Sequence, residues 1–201
     1  MWFSAVLDAL FPATCFGCGR SGQPLCAACR PSGRRILRLA PAELDVIAAG
    51  PYEGPLRTAV LAYKRGRRDA GEALAGLLAI AAEGSLPGCA VFVPVPTAAE
   101  RIRERGFDQG VRLAQGLGTR MRVPVLQALR HCSGDAQRGR SRSARLAAHG
   151  RFACTAPALV EGARIVLVDD VVTTGATLAD CASALRACGA VVREAVVVAY
   201  A

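Results

Sequence analysis

The chain alternates between short apolar runs typical of β-strands and longer stretches with the apolar spacing of helices. The apolar runs predict strands at 46–49, 90–97, 165–168 and 190–199. A shorter run at 122–126 is a candidate edge strand. Helical spacing predicts helices at 2–11, 56–82 and 178–189. This alternation is typical of an α/β fold.

One of the predicted strands ends in two adjacent carboxylates. Asp169 and Asp170 follow 165–168, and a loop of small and hydroxyl residues separates them from the next helix. Ligands of open α/β sheets bind beyond the carboxyl ends of the strands, so this loop lies where a ligand is expected. The loop residues are Thr173, Thr174, Gly175, Ala176 and Thr177.

These residue types suit a ribose 5-phosphate. Hydroxyl groups, a glycine that lets the backbone come close and the free N–H groups at a helix start all favour a phosphate. The two carboxylates repel a phosphate, but they accept hydrogen bonds from a neighbouring diol and attract Mg²⁺. The alternative is an ordinary connection from strand to helix in which Thr174 caps the helix.

The stretch 168–177 resembles the phosphoribosyl pyrophosphate (PRPP) signature of type I phosphoribosyltransferases. The resemblance implies that this stretch, Val171 included, binds PRPP together with Mg²⁺. It also implies that Asp169 and Asp170 are the candidates for a catalytic role.

A basic cluster interrupts the helical pattern predicted at 56–82. Lys64, the only lysine in the sequence, lies there beside Arg65, Arg67 and Arg68. A cluster of this kind is usually a solvated surface. A lysine at a break in a helix is also suited to hold pyrophosphate as a point charge, so Lys64 is a candidate PRPP contact.

A second basic group follows the strand predicted at 90–97. The strand ends at Pro94 and Val95, within a Pro-Val-Pro sequence that stops strand pairing and fixes the backbone. Three arginines follow at alternate positions, Arg101, Arg103 and Arg105. In type I phosphoribosyltransferases the pyrophosphate loop follows a strand in this way. The resemblance therefore implies PRPP contacts at Pro94, Val95, Arg101 and Arg105, and the alternative is a solvated helix.

Four of the nine cysteines form two C-x-x-C pairs, Cys15 with Cys18 and Cys26 with Cys29. This spacing predicts one structural Zn²⁺ held by four thiolates. The alternatives are disulfides or a redox pair, although a redox pair usually begins a helix beside a strand. The cysteine usage favours a reduced, cytoplasmic compartment, and the sequence predicts neither a secretory signal nor a membrane span.

Composition sets the number of folding units and the type of partner. The 201 residues, 52% of them hydrophobic, suffice for one core and a small appendage. We predict a first unit at 1–40, comprising a short helix, the cysteine module and a basic linker over 30–43, and a second unit at 44–201. The net charge of +9 fits an anionic partner, whereas an aromatic content of 5% offers few platforms for stacking single-stranded nucleic acid.

The arginine- and serine-rich segment 133–151 has the composition of a mobile surface loop. The alternation of arginine and serine is suited to bind nucleic acid, and a lid that closes on a phosphorylated ligand explains it equally well. His131 and His149 have no partner at metal-ligand spacing, so we predict ordinary surface roles for both.

The whole chain resembles the ComF-type competence protein family. Four features carry this resemblance in the family's order: the four-cysteine N-terminus, Leu61-Ala62-Tyr63-Lys64, Val93-Pro94-Val95-Pro96 and Arg105-Gly106-Phe107-Asp108-Gln109. The resemblance implies a zinc-ribbon-like module followed by a type I phosphoribosyltransferase fold, which is an open, mostly parallel sheet flanked by helices. Two segments depart from the family pattern. Asp108 replaces the usual asparagine, with a charge that would oppose a phosphate, and 137–152 matches only loosely.

Two functions follow from the resemblance. The first is a Mg²⁺–PRPP-binding component of DNA uptake in natural transformation, with single-stranded DNA and a competence helicase as possible partners. The second is an active phosphoribosyltransferase that releases pyrophosphate from PRPP, for which the sequence identifies no acceptor. The sequence predicts no oligomeric state.

Overall fold

The computed structural model describes residues 13–86, 91–132 and 151–201, together with the backbone of 148–149. The helix predicted at 2–11 and residues 133–147 of the arginine-rich segment lie outside the described residues, as does the His149 side chain.

A five-stranded sheet forms the centre of the fold. Its strands are β1 (Arg35–Leu39), β2 (Leu44–Pro51), β3 (Val91–Pro94), β7 (Arg164–Val172) and β8 (Val191–Tyr200), in the spatial order β1-β2-β8-β7-β3. Every pairing is parallel except that of β1 with β2. A smaller antiparallel sheet consists of β4 (Leu129–His131), β5 (Ala148–His149) and β6 (Phe152–Cys154).

Helices cover both faces of the central sheet. They are α1 (Gly54–Lys64), α2 (Arg68–Ala82), α3 (Ala99–Arg105), α4 (Gln109–Met121), α5 (Pro157–Val160) and α6 (Ala176–Arg186). Val166 and Val168 of β7 belong to the core under α1, α2 and α4, whereas Ile165 and Leu167 belong to the core under α6. Side chains alternate between the faces of a strand, so a strand covered on both faces is apolar throughout. The expected mostly parallel sheet flanked by helices is confirmed.

The linker predicted over 30–43 is wrong, because this segment contains strand β1. Leu37 and Leu39 pack on the core, whereas Arg38 is exposed and forms a 2.7 Å ion pair with Asp45. Charged side chains are common on edge strands, where they discourage pairing with another chain. The segment 30–43 therefore contains an edge strand that its basic composition does not indicate.

Two other elements differ from their predicted form. The helix expected over 56–82 is two helices, separated by a turn in which Gly66 has a φ of +91°. The edge strand expected at 122–126 is absent from the described residues, where only an isolated bridge joins Val125 to Phe92. Pro124 lacks an N–H group, which limits regular strand pairing there.

Candidate functional site

The two carboxylates lie near the carboxyl end of β7, an interior strand between β8 and β3. Asp169 pairs with Val197 of β8, and its carboxylate accepts the N–H of Asp170 at 2.8 Å. The Asp170 carboxylate accepts the N–H of Val171 at 2.7 Å. Lys64 at the end of α1 places Nζ 2.8 Å from Asp170 Oδ2. The backbone and one lysine therefore hold both carboxylates in place.

Asp169 and Asp170 differ in their electrostatic surroundings. Burial and, secondarily, the charge of Asp170 raise the pKa of Asp169 to about 8. Asp169 therefore retains its proton at neutral pH, while the Asp170 carboxylate faces the ammonium group of Lys64. Two carboxyl groups side by side thus offer one proton donor and one acceptor.

The loop after β7 has the backbone geometry of an anion site. Gly175 is the N-cap of α6, with a φ of +77° that glycine adopts readily, and no side chain caps this helix. Thr174 is therefore not the N-cap, although its Oγ1 lies 3.4 Å from the N–H of Ala176. Apart from that of Ala176, the N–H groups of the first turn of α6 are consequently available to a ligand.

Leu39 of the edge strand supports this loop. A Cβ atom on Gly175 would lie 2.5 Å from Leu39 Cδ1, closer than real contacts allow. The segment expected to be a linker therefore packs directly behind the loop. A niche of about 40 Å³ opens in front of it, and Thr174, Gly175 and Ala176 are among the residues that line the niche.

A larger cavity of about 720 Å³ brings most of the predicted PRPP contacts together. Those that line it are Lys64, Val95, Arg101, Arg105, Asp169, Asp170, Val171, Thr173 and Thr177. Four of these also line the small niche, namely Asp169, Val171, Thr173 and Thr177. Pro94 ends β3 beside Val168 and lines neither of these two cavities.

The chain after β3 forms another side of the cavity. The Val95 N–H donates to the Val168 carbonyl at 2.9 Å, which fixes this segment against β7. A Cβ on Gly110 would lie 2.4 Å from the Val95 carbonyl oxygen, so the start of α4 must pack directly on it. Asp108 caps α4 by accepting the Val111 N–H at 3.1 Å, which gives its charge a structural role at a helix N-terminus.

Gln109 lines the cavity, and sequence reasoning did not name it as a candidate site residue. It is 5% exposed, and its Oε1 accepts a hydrogen bond from Arg105 Nη1 at 2.6 Å. Its backbone carbonyl accepts the Tyr63 hydroxyl at 2.6 Å. Gln109 Nε2 has no acceptor within the described part of the chain. Its place in the Arg-Gly-Phe-Asp-Gln motif was the available signal.

His131 and Arg151 also line the cavity, and neither was predicted to do so by an identified motif. The His131 ring lies 4.5 Å from the Phe152 ring, and burial and the charge of Arg151 lower the pKa of His131. Arg151 Nε lies 3.1 Å from Asp180, and its Nη2 donates to Thr177 Oγ1 at 3.4 Å. The predicted surface role of His131 therefore omits its place in the cavity wall.

The four N-terminal cysteines form one cluster. Their sulfur atoms all lie within 4.8 Å of one another, and Cys18 Sγ is 3.7 Å from Cys26 Sγ. A tetrahedral zinc ion with Zn–S bonds of about 2.3 Å needs sulfur atoms about 3.8 Å apart. Backbone N–H groups, those of Cys26 and Cys18 foremost, lower the pKa of Cys15 to about 6, which favours a thiolate. The donor set and its spacing fit zinc, with no ligand position left for catalysis.

The cysteine cluster packs against the main fold. A Cβ on Gly17 would lie 2.7 Å from Pro55 Cγ and 2.8 Å from Cys29 Sγ. Only glycine therefore fits between the cluster and the start of α1. The Arg67 guanidinium lies 5.3 Å from the centre of the Phe16 ring, which adds a second contact.

Comparison with known proteins identifies the type of domain. Residues 105–201, which include α4 and the acidic loop, match the family model described as the phosphoribosyl transferase domain. The fold is of the phosphoribosyltransferase type. A search of curated proteins finds no match. Among the helices of the described residues, none has the length and apolarity needed to cross a membrane.

Several solved structures have a loosely similar fold. Glutamine PRPP amidotransferase from B. subtilis is 22% identical over 69% of this chain and 30% of its own, with a TM-score of 0.45. A structure described as the allosteric regulatory enzyme of purine biosynthesis is 21% identical over 69% and 29%, with a TM-score of 0.46. Adenine phosphoribosyltransferase from Leishmania donovani is 15% identical over 81% and 73%, with a TM-score of 0.43. The chain thus spans less than a third of the first two.

Proposed function

We propose that the large cavity binds PRPP together with Mg²⁺. The observation that carries this proposal is that Asp169 and Asp170 share one cavity with residues of a hydroxyl-rich loop and with Arg101 and Arg105. PRPP is a ribose with a phosphate at one end and a pyrophosphate at the other. The cavity offers acceptors for its hydroxyls, donors for its phosphate and positive charges for its pyrophosphate.

Each part of PRPP has a distinct set of partners in this proposal. The ribose hydroxyls donate to Asp169 and Asp170, and the 5-phosphate enters the niche in front of the loop 173–177. The pyrophosphate lies toward Arg101 and Arg105, whose guanidinium groups suit bidentate contacts with its oxygens. Mg²⁺ supplies charge neutralisation on the pyrophosphate, and Asp170 is the residue placed to attract it.

Lys64 is the residue that links the two sides. Its ammonium group neutralises Asp170 when no ligand is bound, at a separation of 2.8 Å. A pyrophosphate that arrives beside it offers a second anionic partner. Lys64 then lies between two negative groups and reduces the repulsion between them.

Calorimetric titration of the chain with PRPP in the presence of Mg²⁺ tests the proposal. The expected result is one site per chain with micromolar affinity, which weakens when EDTA removes the Mg²⁺. If the titration gives only the heat of mixing at millimolar PRPP, the proposal is overturned. Measuring zinc in the same sample tests the cysteine cluster separately, and a chain with four free thiols and no zinc would contradict a structural zinc site.

The biological role that we infer is a PRPP-binding component of DNA uptake in the cytoplasm. This inference rests on the ComF-type sequence resemblance, and the net charge of +9 supports an anionic partner. Single-stranded DNA is the first partner to test. Its affinity should fall steeply with added salt if the protein contacts several phosphates, and an affinity independent of salt would count against direct DNA binding. A helicase partner would be sought by co-purification.

The alternative is a phosphoribosyltransferase. An acceptor would attack C1 of the ribose with its electron pair while the bond from C1 to the pyrophosphate oxygen breaks. The pyrophosphate would leave with the bonding electron pair, and the arginines would stabilise its negative charge. Enzyme-coupled detection of pyrophosphate over a panel of acceptors separates the two functions, because a binding component releases none.

A further inference from the structure

A second cavity of about 270 Å³ lies between the end of α1, helix α2 and helix α4. It shares no lining residue with the large cavity. Its floor is apolar and aromatic, whereas arginines surround its opening. No part of the proposed function uses it.

Close packing of the helices forms the floor. A Cβ on Gly116 of α4 would lie 2.8 Å from Ala75 Cβ of α2, so the two helices approach closely there. A Cβ on Gly71 would lie 2.8 Å from the Tyr63 ring. The Tyr63 and Phe107 rings lie 5.9 Å apart and are tilted against each other. Because neither glycine has a Cβ atom, the helices and the Tyr63 ring pack closely and the space above them stays open.

The opening carries an excess of positive charge. Arg67, Arg68, Arg112 and Arg120 line the cavity, and Glu72 is the only acid among the described residues that do so. Two of these arginines already have partners. Arg67 forms a 2.6 Å ion pair with Asp69, and Arg120 donates to the backbone carbonyls of Gly116 and Glu72.

Arg68 and Arg112 remain available to a ligand. Both are exposed, and neither forms an ion pair within the described ranges. The Arg112 guanidinium lies 4.3 Å from the centre of the Phe107 ring, where the aromatic ring stabilises it. A guanidinium held over a ring offers its outward N–H groups to an anion in a fixed orientation.

We propose that this cavity binds a small aromatic anion, a single ring that carries a phosphate or a carboxylate. The ring packs over Gly71, Ala75 and Gly116 on the floor, beside Tyr63 and Phe107. The anionic group lies between Arg68 and Arg112. The volume of about 270 Å³ is near the lower end of small-molecule pockets, which favours one ring over a longer ligand.

The position of the cavity separates this ligand from the acceptor of a transfer reaction. Tyr63 lines the second cavity and its neighbour Lys64 lines the first. The Tyr63 hydroxyl donates to the carbonyl of Gln109, which also lines the first cavity. These residues form a wall between the two sites, so the proposal does not depend on PRPP binding.

Calorimetry with phenyl phosphate, benzoate and inorganic phosphate tests the proposal on the full chain. We expect at least one of the two aromatic anions to bind about tenfold more tightly than inorganic phosphate, because only they can use the floor. The better of the two identifies the anionic group. Equal affinity for all three, or no binding at millimolar concentration, would overturn the proposal.

Two exposed substitutions locate the site without threatening the fold. Arg68→Gln together with Arg112→Gln should weaken the aromatic anion about tenfold or more, since both charged partners are removed. Arg193→Gln, an exposed arginine on β8, is the matched control and should change nothing. An unchanged affinity in the double variant would refute the assignment.

A crystal soaked in the better ligand gives the position directly. Density beside Phe107 and Arg112 is the expected result. Density confined to the loop 173–177 would show that the phosphate niche had captured the probe, and would overturn the proposal even if the affinities agreed with it.

Discussion

The two sides of the large cavity are built in different ways. We call Asp169, Asp170 and the loop 173–177 the acidic wall, and Lys64, Arg101 and Arg105 the basic wall. The acidic wall comes from one continuous stretch that runs from the end of β7 into the start of α6. The basic wall is assembled from α1 and α3, which are far apart in sequence.

This difference determines what fixes the geometry of each wall. Local backbone bonds orient the carboxylates, such as the N–H of Asp170 that donates to Asp169 at 2.8 Å. In the basic wall, a tertiary contact orients Lys64, whose Nζ lies 2.8 Å from Asp170 Oδ2 on a distant strand. The acidic wall is therefore a preformed motif, and the basic wall depends on the packing of the helices.

The largest effect is expected from neutralising the acidic wall. Asp169→Asn with Asp170→Asn replaces one acceptor oxygen of each side chain by an NH₂ donor and removes the charge that strengthens the hydrogen bonds to the ribose and attracts Mg²⁺. Because each hydrogen bond to a charged group contributes about 1.5–3 kcal/mol, the affinity for Mg²⁺–PRPP should fall at least about a hundredfold. Calorimetry measures this. Asp45→Asn, which breaks an exposed ion pair with Arg38, is the control and should bind normally.

The next effect concerns the backbone of the acidic wall. Gly175→Ala introduces a Cβ against Leu39 at a φ of +77°, so we expect a loss of about 2 kcal/mol in the free energy of unfolding and about thirtyfold in PRPP affinity. Chemical denaturation and calorimetry measure the two losses. Gly162→Ala has a similar φ of +68° with open space around its Cβ, which isolates the collision from the backbone strain. Equal losses in both variants would contradict the role of Leu39.

A smaller effect separates two arginines of the basic wall's helix. Arg105 lines the cavity, whereas Arg103 of the same helix does not. Arg105→Gln should therefore weaken the binding of Mg²⁺–PRPP about tenfold, because it removes one charged contact. Arg103→Gln should leave the affinity unchanged. Equal losses from the two variants would indicate that α3 acts only through its overall charge.

The smallest expected effect is a dependence on pH. Asp169 has a pKa raised to about 8, so it holds a proton at neutral pH, while ribose hydroxyls favour its ionised form as an acceptor. Ligand binding should release this proton, and affinity should rise several-fold from pH 7 and level off about one pH unit above the pKa of Asp169. Calorimetry in buffers with different ionisation enthalpies detects the proton. Proton uptake on binding would contradict the assignment.

The same raised pKa affects the stability of the fold. Between the ordinary carboxyl pKa of 3.8 and about 8, the native state binds more protons than the unfolded chain. The contribution of Asp169 to the free energy of unfolding therefore falls as pH rises through this window. Denaturation of the Asp169→Asn variant, compared with the unchanged chain, should show this slope removed.

The sequence predicted the acidic wall well because its chemistry and its geometry lie in the same ten residues. An apolar run, two acids and a hydroxyl loop specify a strand, its end and a helix start without reference to distant contacts. The four-cysteine cluster could be predicted equally well, because the spacing of the two C-x-x-C pairs already indicates the cluster that the structure contains.

Features that depend on distant packing were less accessible. The edge strand β1 was missed because its arginines resemble a linker, and only its pairing with β2 explains Leu37 and Leu39. His131 gave no signal because its place in the cavity depends on β4 lying beside β6.

The division of PRPP between the two walls is the central claim, and its two halves can be titrated as separate fragments. Ribose 5-phosphate and Mg²⁺–pyrophosphate would each be titrated into the Asp169→Asn, Asp170→Asn variant and into an Arg101→Gln, Arg105→Gln variant. The acidic-wall variant should lose its affinity for ribose 5-phosphate and retain most of its affinity for Mg²⁺–pyrophosphate. The basic-wall variant should lose its affinity for Mg²⁺–pyrophosphate and retain most of its affinity for ribose 5-phosphate. Equal losses of both fragments in both variants would contradict the account.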